Sequence, residues 1–296
     1  MDLDHLRAFA RVIETGSFSA AARDIGVQQS AVSRQVAALE RRLGTPLLVR
    51  STRTMAVTEA GQRYYAHIKA ALAEIDQAEA QVRGGAGALS GPLCIAASVG
   101  FGRSVLLPVV ETFLTAHPEV RIDLRLQDQF IDLIEHGIDI AVRIGELRDS
   151  ALTVRHLCNS RRALLAARSY LDRRGRPMTP ADIAGHDCIL YSGRDEPDLW
   201  RIPQADGSTS TIRIAAGLTT NSSEVVRGAV CRGIGIAYAP TWLFQDELAR
   251  GEVEILLPHA PATAVPISLL FPAGRRMPAR VSAFADHLAA CLGHEI

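Results

Sequence analysis

Residues 18–43, FSAAARDIGVQQSAVSRQVAALERRL, constrain the fold more than any other stretch of this 296-residue chain. The first part is an alanine-rich helical segment with Ile25 on its inner side, and Gly26 breaks it. After Val27 and Gln28, a second helix carries Val32, Val36, Leu39 and Leu43 at i, i+4, i+7 and i+11, one apolar stripe. A 3.6-residue period places Ser30, Arg34, Ala37 and Arg41 on the opposite face, with Ser33 beside them and Gln29 at the helix start. Hydroxyls, guanidinium groups and very small side chains on one face suit a helix that approaches the floor of a DNA major groove. Two short helices joined at a glycine, the second with such a face, predict a helix-turn-helix.

The flanking residues extend this unit. Leu3, Leu6, Phe9 or Ala10, and Ile13 form an apolar stripe that predicts a preceding helix packed behind the pair. After Leu43-Gly44, residues 45–50 and 55–58 read as two short strands with basic and hydroxyl residues at their tip, a wing. Arg50 and Arg53 would there bind phosphate or enter the flanking minor groove. Thr58 is a good N-cap for a long helix reaching Arg83, with Glu59 at its positive end. In it Tyr65, Ile68, Leu72, Ile75, Glu79 and Val82 alternate by three and four, a coiled-coil seam interrupted by Glu79. A lone helix has no core to cover that seam, so pairing with a second copy of the chain is expected. Residues 84–91, almost all small, read as a hinge.

Composition narrows the function classes. Length predicts two domains, and 48% hydrophobic with 22% charged residues is the balance of a globular protein. Net charge is zero overall, but residues 1–58 hold eight arginines against five acids, a net of +3 that suits a DNA-binding domain. The start Met1-Asp2-Leu3-Asp4 is acidic with no apolar region after it, and no run approaches the ~20 apolar residues of a membrane span, so a cytoplasmic protein without a membrane partner is expected. Five scattered cysteines (94, 158, 188, 231, 291) without CxxC or Cys/His clusters predict reduced thiols, no metal and no cofactor. A redox sensor using two of Cys94, Cys158, Cys188 and Cys231 is the alternative. GxSxG, HExxH and P-loop motifs are all missing from the sequence, so no catalytic residues are assigned and an enzyme is not expected.

Phe9, the run 15–22 (TGSFSAAA), Ser30-Ala31-Val32-Ser33, Leu39-Glu40, Leu43-Gly44, Pro46-Leu47 and Thr58-Glu59-Ala60-Gly61 stand in one order and spacing. That order closely resembles the amino-terminal domain of LysR-type transcriptional regulators. The stretches around Ser98 and Asn221 add a likeness to the CrgA-like subgroup of that family. Gln28, where the family usually has Ser or Thr, makes a weaker N-cap, and Leu48 replaces a common Phe. The resemblance implies an interrupted inverted repeat in double-stranded promoter DNA as partner. It also implies dimerisation through the linker helix, and commonly a homotetramer.

Beyond the hinge the pattern switches to strands and helices in alternation. Residues 93–97, 120–126 and 138–144 read as strands, and 105–116 and 130–136 as helices, a βαβαβ series with a parallel sheet. A second series runs less cleanly over 163–239, followed by a strand at 266–271 and a closing helix at 279–292. Two such halves resemble the periplasmic-binding-protein fold that LysR regulators use as an effector domain. Leu133 with residues 139–145, and Ala229 with 233–237 and Pro240, match its motifs. The expected fold class is therefore α + α/β: a winged helix-turn-helix (1–58), a linker helix and hinge (59–90), and a two-lobed effector domain (91–296). Lobe I would hold 91–162 and 266–296, and lobe II 163–265. Ligands of such sheets bind beyond the carboxyl ends of strands. There Ser98, Gly100 and Phe101 follow one strand, with exposed amides for a carboxylate or other anion, and Gln127 follows the next. Asn221 and Ser222 precede a helix on the other half. By resemblance Ser98, Gln127 and Asn221 occupy effector-contact positions. Asp128 and Arg143 read equally well as ordinary contacts.

Overall fold

Amphipathic spacing near the amino terminus produces three helices, α1 (Leu3–Thr15), α2 (Phe18–Ile25) and α3 (Gln29–Leu43). The structure, a computed structural model, describes residues 3–50, 55–84, 89–129, 131–147, 152–204, 206–259, 261–273, 277–293 and 296, without the side chains at 50, 70, 73, 74, 77, 78 and 80–84. Packing divides the chain into two compact units: residues 1–93 with 117–121 and 132–138, and residues 94–116 with 122–131 and 139–296.

In the first unit, Ser17 caps α2 by accepting from the Ala20 amide, and Gly26 at φ 78° closes it with its own amide on the Ala22 carbonyl. No side chain caps α3, because Gln28 makes no cap hydrogen bond. Val32, Val36 and Leu39 are buried with Leu6, Phe9 and Val12, so the stripe forms the core. Two residues expected on the inner side depart from expectation. Ile25 is 41% exposed and Leu43 37% exposed. Each is the last residue of its helix, and the chain turns away at the glycine that follows.

The wing forms from β1 (Leu48–Arg50) and β2 (Met55–Val57), antiparallel with Leu48 opposite Val57 and Arg50 opposite Met55. Residues 51–54, Arg53 among them, and the Arg50 side chain lie outside the described residues. Glu40 of α3 ties the wing to the helix: its Oε1 accepts from the amides of Leu47 (2.8 Å) and Leu48 (2.9 Å). Thr58 accepts from the Gly61 amide at 2.9 Å and so caps α4 (Glu59–Gly84).

The seam of α4 is not left waiting for a second chain along its whole length. Tyr65, Ile68 and Leu72 are buried in the same core as α1 and α3. Burial of Ile68 and Leu72 contributes about 1.5–3 kcal/mol each. Arg7 of α1 donates to Asp76 at 2.6 Å and stands 3.7 Å from Glu79. The acidic break in the seam therefore faces a cation of α1. The coiled-coil reading overlooked that α1 offers an apolar face along the first half of α4.

In the second part of the chain the apolar strands assemble one mixed sheet. It contains β3 (Gly91–Ala97), β4 (Val120–Leu126), β5 (Ile140–Ile144), β6 (Thr153–Ala167), β7 (Cys188–Tyr191), β10 (Leu218–Thr220), β11 (Ile236–Pro240), β12 (Val253–Leu256) and β13 (Thr263–Phe271). A separate antiparallel hairpin, β8 (Leu199–Pro203) with β9 (Thr209–Arg213), was not foreseen. Along the sheet the order is β10-β7-β11-β6-β13-β5-β3-β4, with β12 on β6. Pairs β3–β5, β7–β10 and β7–β11 are parallel, as expected of βαβ units. The long strands β6 and β13 instead run antiparallel to each other and to their neighbours, so the sheet is mixed and not simply parallel.

Helices cover the sheet. Val99–Phe101 (α5), a π-helical turn at Gly102–Leu106 and Leu107–Ala116 (α6) make one helical run that begins six residues earlier than expected. Its 18 residues have a mean hydropathy of 1.3, enough for a short membrane span by composition. Here Phe101, Leu106, Val109, Val110 and Phe113 are core residues, and Phe113 meets Phe284 edge-on. Residues 133–137 form turns and not the expected helix. Asp132 draws the amides of Ile134 and Glu135 onto its side chain, and Gly137 at φ 60° ends the segment after one turn. The remaining helices are α7 (Arg168–Arg174), α8 (Ser223–Cys231), α9 (Gln245–Ala249) and α10 (Ala279–Leu292).

Glu40→Ala removes the acceptor for two wing amides. It is expected to destabilise by about 1.5–3 kcal/mol, the cost of losing hydrogen bonds to a charged group. Urea denaturation of the whole chain checks this, with far-UV helix content unchanged before the transition.

Candidate functional site

Helix α3 turns one face inward and leaves the other free. Gln29, Ser30, Arg34 and Arg41 are exposed, and Ser33 and Ala37 are half-buried beside them. The spacing that sinks Val32, Val36 and Leu39 raises these residues outward. Ser19 of α2 donates to Gln29 Oε1 at 2.9 Å and so fixes the amide at the helix start. Arg34 and Arg41 are exposed on the same face. Arg11 of α1 pairs with Asp24 and, at 2.7 Å, with Glu14, which leaves it engaged within the domain.

The second candidate site lies where the carboxyl ends of parallel strands meet in the larger unit. Ser98 occupies the N-cap position of the helical run, half-buried and without a side-chain cap bond. Gln127 follows β4 and is exposed, its amide donating to the Ala97 carbonyl at 2.9 Å. Asn221 is exposed and Ser222 half-buried, at the start of α8. These four surround the junction between the two halves of the sheet.

Gly100 and Phe101 do not behave as expected. Phe101 is fully buried and stacks edge-on against Trp242 at 5.4 Å between ring centres. Gly100 is buried too: a Cβ there would stand 2.8 Å from Leu243 and 2.9 Å from the Ser223 hydroxyl. The glycine serves close packing between the two halves.

The group that fills the expected anion position belongs to the protein itself. Asp128 Oδ1 accepts from the Val99 amide at 3.1 Å, and Oδ2 accepts from the Ser223 amide at 2.9 Å. The Ser223 hydroxyl also donates to this carboxylate. One side chain thus holds the amino-terminal ends of two helices from opposite halves, where backbone amides and dipoles favour negative charge. A second tie runs beside it, from Arg103 Nε to Glu224 at 3.0 Å. Sequence reasoning set Asp128 aside. Its position at the carboxyl end of β4, next to Gln127, was the signal available.

Further residues at this junction also went unnoticed. Tyr191 ends β7, and its phenol is pushed up first by burial and then by the charge of Asp128, against Arg143 and Arg162. Arg162 of β6 donates to the Tyr238 carbonyl at 2.9 Å. The thiols give no matching picture of reactivity. Burial pushes Cys158 up to about 11 and Cys188 to about 12, and burial also raises Cys231. Thiolate, the reactive form, is therefore suppressed at three of the four cysteines of the redox alternative.

A DNA-facing helix-turn-helix with a wing, joined by a long helix to a two-halved α/β domain, defines a ligand-responsive transcription regulator. Residues 3–62 match the family described as "Bacterial regulatory helix-turn-helix protein, lysR family", and residues 86–292 match "LysR substrate binding domain". The chain belongs to the LysR family of transcriptional regulators. It is 32% identical over 294 residues to the HTH-type transcriptional regulator CrgA of Neisseria meningitidis serogroup C, covering 99% of this chain and 98% of that one. It is 35% identical over 295 residues to PtxR of Pseudomonas aeruginosa, covering 100% and 94%. The solved structure of CrgA from Neisseria meningitidis superposes with a TM-score of 0.64 at 31% identity, covering 99% of this chain and 100% of that chain. ArgP from Mycobacterium tuberculosis shares the fold, with a TM-score of 0.65 at 22% identity and full coverage of both chains. CrgA and PtxR are transcriptional regulators and not enzymes, and the redox alternative is not favoured.

Asp128→Ala strips the Val99 and Ser223 amides of their acceptor. A loss of about 1–3 kcal/mol is expected in the unfolding of the α/β domain, measurable by chemical denaturation. Iodoacetamide at pH 8 is expected to label the exposed Cys291 of the native protein and to spare Cys158 and Cys188 until the chain unfolds. Peptide mass mapping reads the outcome, and rapid native labelling of either buried thiol would revive a redox role.

Proposed function

We propose that this regulator reads an interrupted inverted repeat in promoter DNA through α3 of two subunits, and that a small molecule at the junction of the α/β halves changes that reading. The outward face of α3 carries the proposal: Gln29, Ser30, Ser33, Arg34, Ala37 and Arg41 stand opposite the buried Val32, Val36 and Leu39, with only flexible polar or small side chains among them. Arg34 is assigned to base edges, and Arg50 and Arg53 to the sugar-phosphate backbone beside the wing. The functional divisions fall near residues 58 and 90.

Dimerisation through α4 is part of the same reading. Its first half is covered by α1, so the contact with a second copy falls to the later seam positions Ile75 and Val82. Pairs of dimers form the tetramer that engages two sites, and the protein acts in the cytoplasm. The effector is placed among Ser98, Gln127, Asn221 and Ser222, with Gly100 and Phe101 shaping the wall behind them. A ligand there acts by binding one arrangement of the halves more tightly than another, which is the only way it can shift the population.

Footprinting of the purified protein on DNA upstream of its own gene tests the whole reading. A paired footprint that shortens or shifts with one metabolite supports it. Absence of protection at low salt, with the oligomer intact, overturns it. Arg34→Ala is expected to lose discrimination between cognate and random DNA, and equal losses on both would remove it as a base reader. Arg53→Ala is expected to weaken binding to all sequences and reduce the slope of log K against log salt by about 1.

A further inference from the structure

Strand β6 passes from one half of the sheet to the other between Asn159 and Arg162. Along one edge β13 accompanies it from Thr153 to Arg162. On the opposite edge, among the described residues, β11 pairs with it only from Arg162 onward, where Pro240 stands opposite. Just ahead of that point, Asn159 is paired with Pro266 and Arg161 with Ala264. Positions two apart in an antiparallel ladder are of one class, and Pro266 has no N–H to offer. The backbone groups of Asn159 and Arg161 therefore point away from β13, toward the edge that β11 does not reach.

A residue from far along the chain meets them there. The Ile296 amide donates to the Asn159 carbonyl at 2.9 Å, and the Arg161 amide donates to the Ile296 carbonyl at 2.8 Å. Side chains that follow β11 hold the same short segment. Trp242 Nε1 donates to the Ser160 hydroxyl at 2.9 Å, with both residues buried, and the Thr241 hydroxyl donates to the Arg161 carbonyl at 3.4 Å. Without Ile296, two backbone groups at the crossover would face an open strand edge. An open edge leaves amides to water and lowers the local cost of opening.

We propose that Ile296 is a strap on the crossover strand: its pairing with Asn159 and Arg161 holds the two halves at one angle, and its release frees that angle. This rests on the reading that the arrangement of the halves governs how DNA is engaged. Both bonds of the strap use backbone atoms, so the amide hydrogen at position 296 matters and the side chain does not.

Three variants test the strap: deletion of residues 294–296, Ile296→Pro, which lacks the amide hydrogen, and Ile296→Ala, which keeps both bonds. Amide hydrogen exchange of the native protein reads the contact itself. The Arg161 amide is expected to exchange at least about 10-fold faster after the deletion and at the parent rate in Ile296→Ala. Footprinting without any ligand reads the consequence. The deletion and Ile296→Pro are expected to shorten or shift the protected region, and Ile296→Ala to leave it as in the parent. Ile296→Pro carries the test should the deleted chain not fold. An Arg161 amide that the deletion leaves unchanged would overturn the strap. Faster exchange with an unaltered footprint would overturn its control of the angle. A parent chain that protects no DNA would instead bring down the reading of the regulator, and exchange at Arg161 alone would then decide the strap.

Discussion

The effector domain depends on the antiparallel pairing of β6 with β13. Every residue of β13 from Thr263 to Phe271 has a partner on β6, with one irregularity between Ile267 and Ser268. The strands of one half attach to this ladder through β5 on β13, and those of the other through β11 and β12 on β6. Backbone hydrogen bonds therefore hold the halves together independently of the contacts across their facing surfaces. Those surfaces are free to carry charge and hydroxyl groups, and they do.

Charge at the junction is divided unevenly. Asp128 is satisfied by two helix ends, whereas Arg162 and Arg194 are served by carbonyl oxygens and each retains a sealed, unpartnered Nε. The first arrangement favours contact between the halves; the second leaves each Nε without a partner.

Local periodicity made the DNA-facing domain legible. Val32, Val36 and Leu39 fixed the orientation of α3, and the glycines at 26 and 44 marked its surroundings, because helix phase and turn chemistry are encoded within a few residues. Contacts between distant segments were harder. The burial of Tyr65, Ile68 and Leu72 against α1 could not be told from a coiled-coil seam, since both demand the same spacing. The turn at Asp132 misled for a related reason: seven residues of helical pattern yielded to one side-chain oxygen. At the junction, Ser98, Gln127, Asn221 and Ser222 followed from strand ends. Asp128 and Arg162 did not, because a carboxylate between Gln127 and Gln129 or an arginine before an apolar strand has no distinctive pattern. Their significance lies in partners 95 and 76 residues away along the chain.

The packing of α1 on α4 has a mechanical consequence. Arg7, Tyr65, Ile68 and Leu72 fasten the DNA-facing domain along a 26-residue helix from Tyr65 to Asp76, and Glu40 fastens the wing to α3. The assembly is then a stiff arm with a rigid head. At 1.5 Å per residue the arm is about 39 Å long. Tilting it by about 5° displaces the head by about 3.4 Å, the rise of one base-pair step. A lever of this length converts a rotation too small to disturb any core into a full step of register along the double helix.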